Sequence, residues 1–283
     1  TPATPATPAT PATPATPAAP AKPATPATPA APTTPTVPAK PADPIAKVQN
    51  GTEEVEVATI NDMMAQVKSD GKSVVTLLAD VFSAENITFP YTCTIDLNGH
   101  KIQTDSSGTT GNAILIQAAG SESRHTVVKN GTVDGNSLGI RVNAGSIELD
   151  GLTILSDNAP AIGMYGDDFV EGETNVVRNC TIYTDHTGAF SWHKNDGSQA
   201  GRNMLFENTT IVVENPAGYV FRTRNAGGIV TLGDNVKVYS TGPSALIEGE
   251  VIMSGKALVA QPAATVIAAG KTVNYAPFWS TEG

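Results

Sequence analysis

The sequence predicts an all-β fold: a right-handed parallel β-helix solenoid with an N-terminal capping helix, preceded by a proline-rich tail. Three observations support this. The first 44 residues repeat Thr-Pro-Ala. The rest of the chain repeats a short apolar frame around a glycine or an asparagine, and a third apolar segment follows most of these residues at a nearly constant distance. We therefore expect a tail at residues 1–48 and one large domain at residues 49–283.

The tail has the periodicity of a polyproline II helix. Fifteen of the 21 prolines stand at every third position from Pro2 to Pro44. Because polyproline II has three residues per turn, these rings fall on one edge of an extended helix that rises roughly 3.1 Å per residue. We expect a semi-rigid stalk or linker whose threonines are candidate sites for O-linked sugars.

Charge and hydropathy exclude two classes of partner. The net charge is −10, and three lysines against one aspartate give residues 1–48 a charge of +2, which leaves −12 on the remainder. An acidic domain with few aromatic residues argues against nucleic-acid binding. No apolar run approaches the roughly 20 residues that a membrane span needs. We expect neither a nucleic-acid partner nor membrane insertion.

A helix and then a strand are predicted at the start of the domain. The run Thr59-Ile-Asn-Asp62 resembles a capping box with Asp in the usual place of Glu. Apolar residues at positions 60, 63, 64 and 67 follow helical spacing, and Gly71 is the expected end. Because the open end of a solenoid needs a cap, we expect this helix to cover the first coil. Residues Val74–Val81 are expected to form the strand that enters it.

A glycine or asparagine recurs between alternating apolar residues, as in Ile95–Ile102 and Ile147–Ile154. Glycine and asparagine adopt left-handed backbone conformation at low cost, so each such residue predicts a sharp bend between two strands. Bends repeated every 20 to 31 residues predict the coils of a solenoid. We call these residues pivots; they are Gly99, Asn130, Gly151, Asn179, Asn208, Asn235 and Gly255.

A third strand is predicted about eleven residues after most pivots. Three strands per coil favour a parallel β-helix over a β-sandwich, which would not place its bends in one repeated frame. Glu248 breaks the pattern in a late coil. The first inward positions are Ile114, Ile140, Ile162, Phe190, Tyr219 and Leu246, and the next are Ile116, Val142, Met164, Trp192 and Phe221.

The run Ala58–Val81 followed by Thr94-Ile-Asp-Leu-Asn-Gly-His-Lys-Ile102 resembles the opening of pectate-lyase-like β-helix domains in modular surface proteins of Gram-positive bacteria. The resemblance covers most of residues 51–270. It implies an extracellular, cell-surface or wall-associated module that belongs to a larger protein with other domains. It does not imply catalysis, because this fold carries enzymes, adhesins and inert stalks alike.

The outward side chains of the third strand form the candidate binding site. Equivalent positions of neighbouring parallel strands lie about 4.8 Å apart, so they align in rows. Hydrogen-bonding, aromatic and cationic groups without acidic ones suit a polysaccharide or host glycan, through stacking on Tyr165 and hydrogen bonds to hydroxyls and carboxylates. The predicted row contains Gln117, Asn143, Tyr165, His193 and Arg222, and Arg141 lies beside it.

An enzyme acting on the same strip is the alternative. For a lyase of the pectate type, the resemblance implies an arginine or lysine base and acidic calcium ligands. By position these would be Arg222 or Lys194, and Asp167, Asp168 and Asp196. A glycoside hydrolase would pair Asp167 or Asp168 with Asp196. No lyase motif surrounds Arg222 and the connectors are short, so the sequence favours a non-catalytic module without a cofactor. A purely structural spacer is the third hypothesis.

Cysteine and histidine add no further site. Cys93 and Cys180 lie three pivots apart, which is too far for a disulfide at about 4.8 Å per coil. No histidine has metal-ligand spacing to another histidine or cysteine. The Asn-x-Thr triplets at Asn130, Asn179 and Asn208 coincide with pivots, so we interpret them as structural.

Overall fold

A computed structural model describes residues 43–105, 111–118, 120–122, 124–168, 174–184, 188–193, 202–213, 220–223, 228–240, 250–253, 258–260 and 273–275. The tail at residues 1–42 lies outside this described part, and so do several side chains in the later strands. The predicted all-β character is confirmed: the described residues form strands and one short helix. No helix among them is long and apolar enough to cross a membrane.

The elements follow one another in short strands. The first part contains β1 (Ala46–Asn50), β2 (Glu53–Val57), α1 (Ile60–Gln66), β3 (Val74–Leu77), β4 (Val81–Ser83), β5 (Thr88–Phe89), β6 (Thr94–Asp96), β7 (Lys101–Thr104), β8 (Ile114–Ile116), β9 (His125–Gly135), β10 (Ile140–Ala144) and β11 (Ser146–Ser156). The second contains β12 (Ile162–Asp168), β13 (Thr174–Arg178), β14 (Thr181–Thr184), β15 (Phe190–His193), β16 (Arg202–Glu207), β17 (Thr210–Val213), β18 (Phe221–Thr223), β19 (Gly228–Leu232), β20 (Lys237–Ser240), β21 (Glu250–Met253), β22 (Leu258–Ala260) and β23 (Val273–Tyr275).

An antiparallel hairpin opens the sheet. Strand β1 pairs antiparallel with β2 on one side and with β3 on the other. It begins at Ala46, inside the range 1–48 assigned to the tail, because Ala46 and Val48 alternate inward and are fully buried. Composition alone did not separate these residues from the repeat before them. The described edge strand β2 exposes several glutamates, which discourages pairing with another chain.

Helix α1 begins where the sequence predicts and ends earlier. The Thr59 hydroxyl accepts a hydrogen bond from the Asp62 backbone N–H at 3.1 Å, as the capping box requires. The helix ends at Gln66, since Val67 already has extended backbone. Gly71, the expected end, instead has a φ of 70° in the turn that follows. Met63 is fully buried, so the helix packs its apolar side on the core beside β1 and β2.

From β3 onward, every described pairing is parallel. The chain repeatedly passes through a first strand, a bend and a second strand in a large sheet, and then through a strand of a smaller sheet. We call one such passage a repeat. In β9 and β11 the first and second strands run together as one strand of 11 residues that contains the pivot. Within the large sheet, first strands pair with first strands and second strands with second strands, as β13 pairs with β16 and β14 with β17. The small sheet orders β5, β8, β10, β12, β15 and β18 side by side.

The pivots bend as predicted. All six described pivots have left-handed backbone: Gly99, Asn130, Gly151, Asn179, Asn208 and Asn235, with φ between 43° and 82°. The seventh, Gly255, lies outside the described residues. Asn98 also has a φ of 50°, so the first bend contains two consecutive left-handed residues. This prediction succeeded because it depends on the conformational freedom of single residues rather than on distant contacts.

The register of the small sheet is confirmed for its first repeats and shifts in a later one. Ile114, Ile140, Ile162 and Phe190 pair in succession, as predicted. Phe221, not Tyr219, then stands opposite Phe190. The connector is thus two residues longer than the pattern assumed. The ring centroid of Phe221 lies 5.2 Å from that of Phe206, so the shift places an aromatic side chain in the core. Tyr219 and Leu246 lie outside the described residues.

Both cysteines are buried and free, which confirms that they do not pair. Burial raises the pKa of the Cys93 thiol to about 12, and burial likewise raises that of Cys180 to about 11. Neither thiol therefore forms a reactive thiolate near neutral pH. Both act as small side chains of the hydrophobic core.

Candidate functional site

Three residues of the predicted strip form a connected chain of hydrogen bonds. In β10, Arg141 and Asn143 alternate with the buried Ile140 and Val142, so they point outward. The Asn143 amide N–H donates to Oε1 of Gln117 at 3.0 Å. Nε of Arg141 donates to Oδ1 of Asn143, also at 3.0 Å. The structure thus brings Gln117, Asn143 and Arg141 together, as the sequence predicts.

Tyr165 packs against its own strand and against Arg141. A Cβ placed on Gly163 would lie 2.1 Å from the tyrosine ring and 2.1 Å from the end of Leu138, so both side chains cover this glycine. The guanidinium carbon of Arg141 lies 5.3 Å from the ring centroid of Tyr165, a cation–π contact. The ring therefore supports Arg141. That Tyr165 also stacks on a sugar stays a prediction.

Arg222 does not lie in the predicted row. His193 stands opposite Tyr165 as expected, but Arg222 stands opposite Ser191. Because Ser191 pairs with Gly163 and Gly163 with Arg141, the backbone register puts Arg222 in the row of Arg141. The two-residue connector shift before Phe221 causes this error. The side chains of His193 and Arg222 lie outside the described part.

The structure describes little of the acidic residues that were predicted to bind calcium or to catalyse hydrolysis. Asp167 and Asp168 end β12, where the register shifts so that Asp168 stands opposite Ala144. Their side chains lie outside the described part, and Lys194 and Asp196 lie outside it entirely. Among the described side chains, no group of three or more His, Cys, Asp or Glu residues has metal-binding geometry.

The large sheet carries a second row of functional groups, which sequence reasoning missed. The register aligns five outward residues of alternating charge: Asp96, Lys129, Asp150, Arg178 and Glu207. We call this row the charge ladder. Nζ of Lys129 lies 3.3 Å from the Asp96 carboxylate, and Nε of Arg178 lies 2.9 Å from that of Asp150. Each cation thus joins neighbouring repeats.

Contacts within the charge ladder shift the pKa values of its own residues. Partial burial raises the pKa of the Asp150 carboxyl, but hydrogen bonds from Asn179 and Arg178 and the nearby positive charges outweigh this, so its pKa is lowered. The pKa of Arg178 is raised, first by its hydrogen bond to Asp150 and then by the charge of Glu148, to which it also pairs. Both shifts favour the charged forms that hold the repeats together.

Asparagine pivots extend the same row of contacts. The Asn179 amide donates to Oδ1 of Asp150 at 2.8 Å, and the Asn208 amide donates to Oδ1 of Asn179 at 2.6 Å. A signal for this row was present in the sequence. Each of the residues directly before pivots 130, 151, 179 and 208 is charged, and their signs alternate. The pattern of pivots and apolar neighbours alone does not show which of these charged residues stand opposite one another.

Ser146, His125 and Glu148 resemble a nucleophile–base–carboxylate arrangement. Oγ of Ser146 lies 2.8 Å from Nδ1 of His125, and Nε2 lies 4.0 Å from Glu148. However, Ser146 is only 3% exposed, its N–H and its hydroxyl both donate to the Arg124 carbonyl, and Glu148 pairs with Arg178. A substrate cannot reach this hydroxyl, so the group serves to connect strands β9 and β11.

The comparisons with known proteins assign no family. The sequence matches no protein-family model. It also matches no curated protein.

Proposed function

We propose that the described domain is a right-handed parallel β-helix of the pectate-lyase-like type and acts as a non-catalytic, glycan-binding scaffold at the cell surface. The fold proposal is supported by parallel registers that continue through both sheets and by left-handed bends at the same place in successive repeats. Strand β1, its hairpin partner and α1 serve as the N-terminal cap of this solenoid.

The observation that carries the functional proposal is the connected strip of Gln117, Asn143, Arg141 and Tyr165. These side chains contact one another, and none of them is a carboxylate. Such a group is fixed in place and offers hydrogen-bond donors, which suits binding. General acid–base catalysis of sugar-chain cleavage needs titratable groups positioned around the scissile bond, and the strip's described side chains supply no such pair.

The surface location is supported by the proline-rich tail and by the acidic composition. A tail of up to 44 residues with proline at every third position acts as an extended spacer. A scaffold carried on such a spacer would present its outward strip away from its attachment point. We propose that other domains of a larger surface protein provide that attachment.

A glycan array with the full chain tests this function. We expect the chain to retain a subset of glycans, and the double variant Tyr165→Ala, His193→Ala to lose them. The matched control is Thr181→Ala, which changes an exposed residue of the large sheet and should bind like the unmodified chain.

Two results would contradict the proposal. If no glycan is retained by the unmodified chain, the spacer function replaces it. If calcium-dependent release of unsaturated uronates is observed and is lost in Arg222→Ala, the domain is a lyase.

A further inference from the structure

Arg141 is held in one orientation by contacts on several sides. Its Nε donates to Asn143, Asn143 in turn is held by Gln117, and its guanidinium lies over the ring of Tyr165. Gly163 makes this possible, because any side chain there would displace that ring. The long side chain is therefore ordered before any ligand arrives, which reduces the entropic cost of binding.

The described contacts of this guanidinium use its Nε and its face, not its two terminal nitrogens. Among the described residues, neither one has a hydrogen-bond or ion-pair partner. The acidic composition makes this unusual, since Arg178 pairs with both Glu148 and Asp150. Among the described side chains, those that contact the Arg141 guanidinium are the Asn143 amide and the Tyr165 ring, and neither is acidic. A guanidinium whose Nε is held in place presents a planar fork of donors through its terminal nitrogens.

We propose that Arg141 is an oxyanion subsite that binds the carboxylate or the sulfate of an acidic sugar through its two terminal nitrogens, an assignment that rests on the proposed glycan-binding function. A carboxylate or sulfate accepts two parallel N–H bonds from such a fork, which gives both strength and orientation. Asn143, Gln117 and Tyr165 are positioning residues: they orient the guanidinium, and the acidic group binds to it. The structure thus shifts the main ligand contact from Tyr165 to Arg141.

NMR titration of the arginine side-chain N–H signals tests this subsite. The probes are glucuronate, glucose 6-sulfate, sodium sulfate and neutral glucose, all at one ionic strength set with sodium chloride. We expect both acidic sugars and inorganic sulfate to shift the Arg141 signals with saturation, and glucose to leave them unchanged. The two acidic sugars distinguish a carboxylate ligand from a sulfate ligand.

Two variants test the orientation of the Arg141 guanidinium separately from its charge. Arg141→Lys keeps the charge and removes the fork, so we expect affinity for the acidic sugars to fall about tenfold or more. Asn143→Ala keeps the guanidinium and frees it to rotate, and we expect a loss of about threefold to tenfold. Arg178→Met is the matched control, because it removes an arginine that is already paired with carboxylates, and it should bind like the unmodified chain.

Each outcome has a defined meaning. The proposal is overturned if the Arg141 signals do not respond to either acidic sugar, or if Arg178 responds in parallel with the same affinity. It is also overturned if Arg141→Lys binds as tightly as the unmodified chain. The proposed glycan-binding function fails separately: the array then shows no retained glycan, even if inorganic sulfate still saturates Arg141.

Discussion

An arginine and an asparagine occur close together in two regions of this molecule, with opposite consequences. At a bend of the large sheet, Arg178 and Asn179 contact the carboxylate of Asp150 in the preceding repeat. On the small sheet, Arg141 and Asn143 contact each other and a neutral glutamine. The first pair uses its charge and donors to join repeats, whereas the described contacts of the second involve no carboxylate.

The backbone explains why the two asparagines differ. Asn179 has a φ of 55°, so asparagine is chosen there for its backbone as well as for its amide. Asn143 lies in the strand β10, where any side chain is tolerated, so only its amide matters. Where the backbone conformation requires a residue type, as at Asn179, that residue has a structural role. Where it does not, as at Asn143, the side chain is a candidate for a functional role.

Replacing these two asparagines by alanine tests the comparison and has the largest expected effect. Asn179→Ala places alanine in left-handed backbone, which costs about 1–2 kcal/mol, and it removes two side-chain hydrogen bonds worth about 0.5–1.5 kcal/mol each. We expect the free energy of unfolding to fall by about 2–5 kcal/mol in urea titration. Asn143→Ala also removes two side-chain hydrogen bonds, worth about 0.5–1.5 kcal/mol each. It changes no backbone preference, so its cost should be smaller by the left-handed backbone term of about 1–2 kcal/mol.

Asn179→Gly is the control, because glycine accepts the left-handed backbone without the amide. Its cost should be lower than that of Asn179→Ala and close to that of Asn143→Ala, because both variants lose two side-chain hydrogen bonds without a backbone penalty. If Asn143→Ala destabilises the fold as much as Asn179→Ala, then the strip is a structural element and the comparison fails.

The sequence was sufficient for features that depend on single residues. Six pivots were predicted because glycine and asparagine differ from other residues in the backbone they tolerate. The start of α1 at Thr59 followed from a local capping pattern. Gln117 and Asn143 were placed side by side because the intervening connectors fitted the assumed spacing.

Features that depend on connector length or on side-chain packing were not predictable. Arg222 was placed in the wrong row because one connector is two residues longer, and only the core position of Phe221 reveals this. The contact of Tyr165 with Arg141 depends on the lack of a side chain at Gly163, because the tyrosine ring occupies the place where a Cβ would stand. The charge ladder required knowing which residues stand opposite each other.

Removing each arginine is the next test, and its expected effect is smaller. Arg178→Met leaves Glu148, Asp150 and Glu207 without their shared cation, and we expect a loss of about 1–2 kcal/mol in the free energy of unfolding at low salt. Arg141→Met loses a cation–π contact and a hydrogen bond to a neutral group, worth about 1 kcal/mol together at an exposed site.

The salt dependence of the destabilisation distinguishes the two arginine variants more sharply than its size does. At about 1 M sodium chloride, screening should reduce the cost of Arg178→Met by about half or more, while the cost of Arg141→Met should change little. Urea unfolding of both variants at low and high salt measures this. Equal salt dependence would show that Arg141 also has acidic partners, contrary to the comparison.

The smallest expected effect concerns acid stability and again contrasts paired with unpaired groups. The pKa of Asp150 is lowered in the folded chain: partial burial opposes this, but its contacts with Asn179 and Arg178 prevail. A lowered folded pKa adds stability that is fully present above the ordinary aspartate pKa of about 3.9 and is lost as the pH falls through the folded value. The urea midpoint should therefore drop below about pH 4, and it should drop less in Asp150→Asn, which has no proton to take up.

Glu85→Gln, which changes an exposed carboxylate outside the ladder, should follow the unmodified chain. If the urea midpoint of Asp150→Asn drops in acid as much as that of the unmodified chain, then other carboxylates destabilise the fold in acid. The charge ladder would then not account for the difference between the paired groups at the bends and the strip.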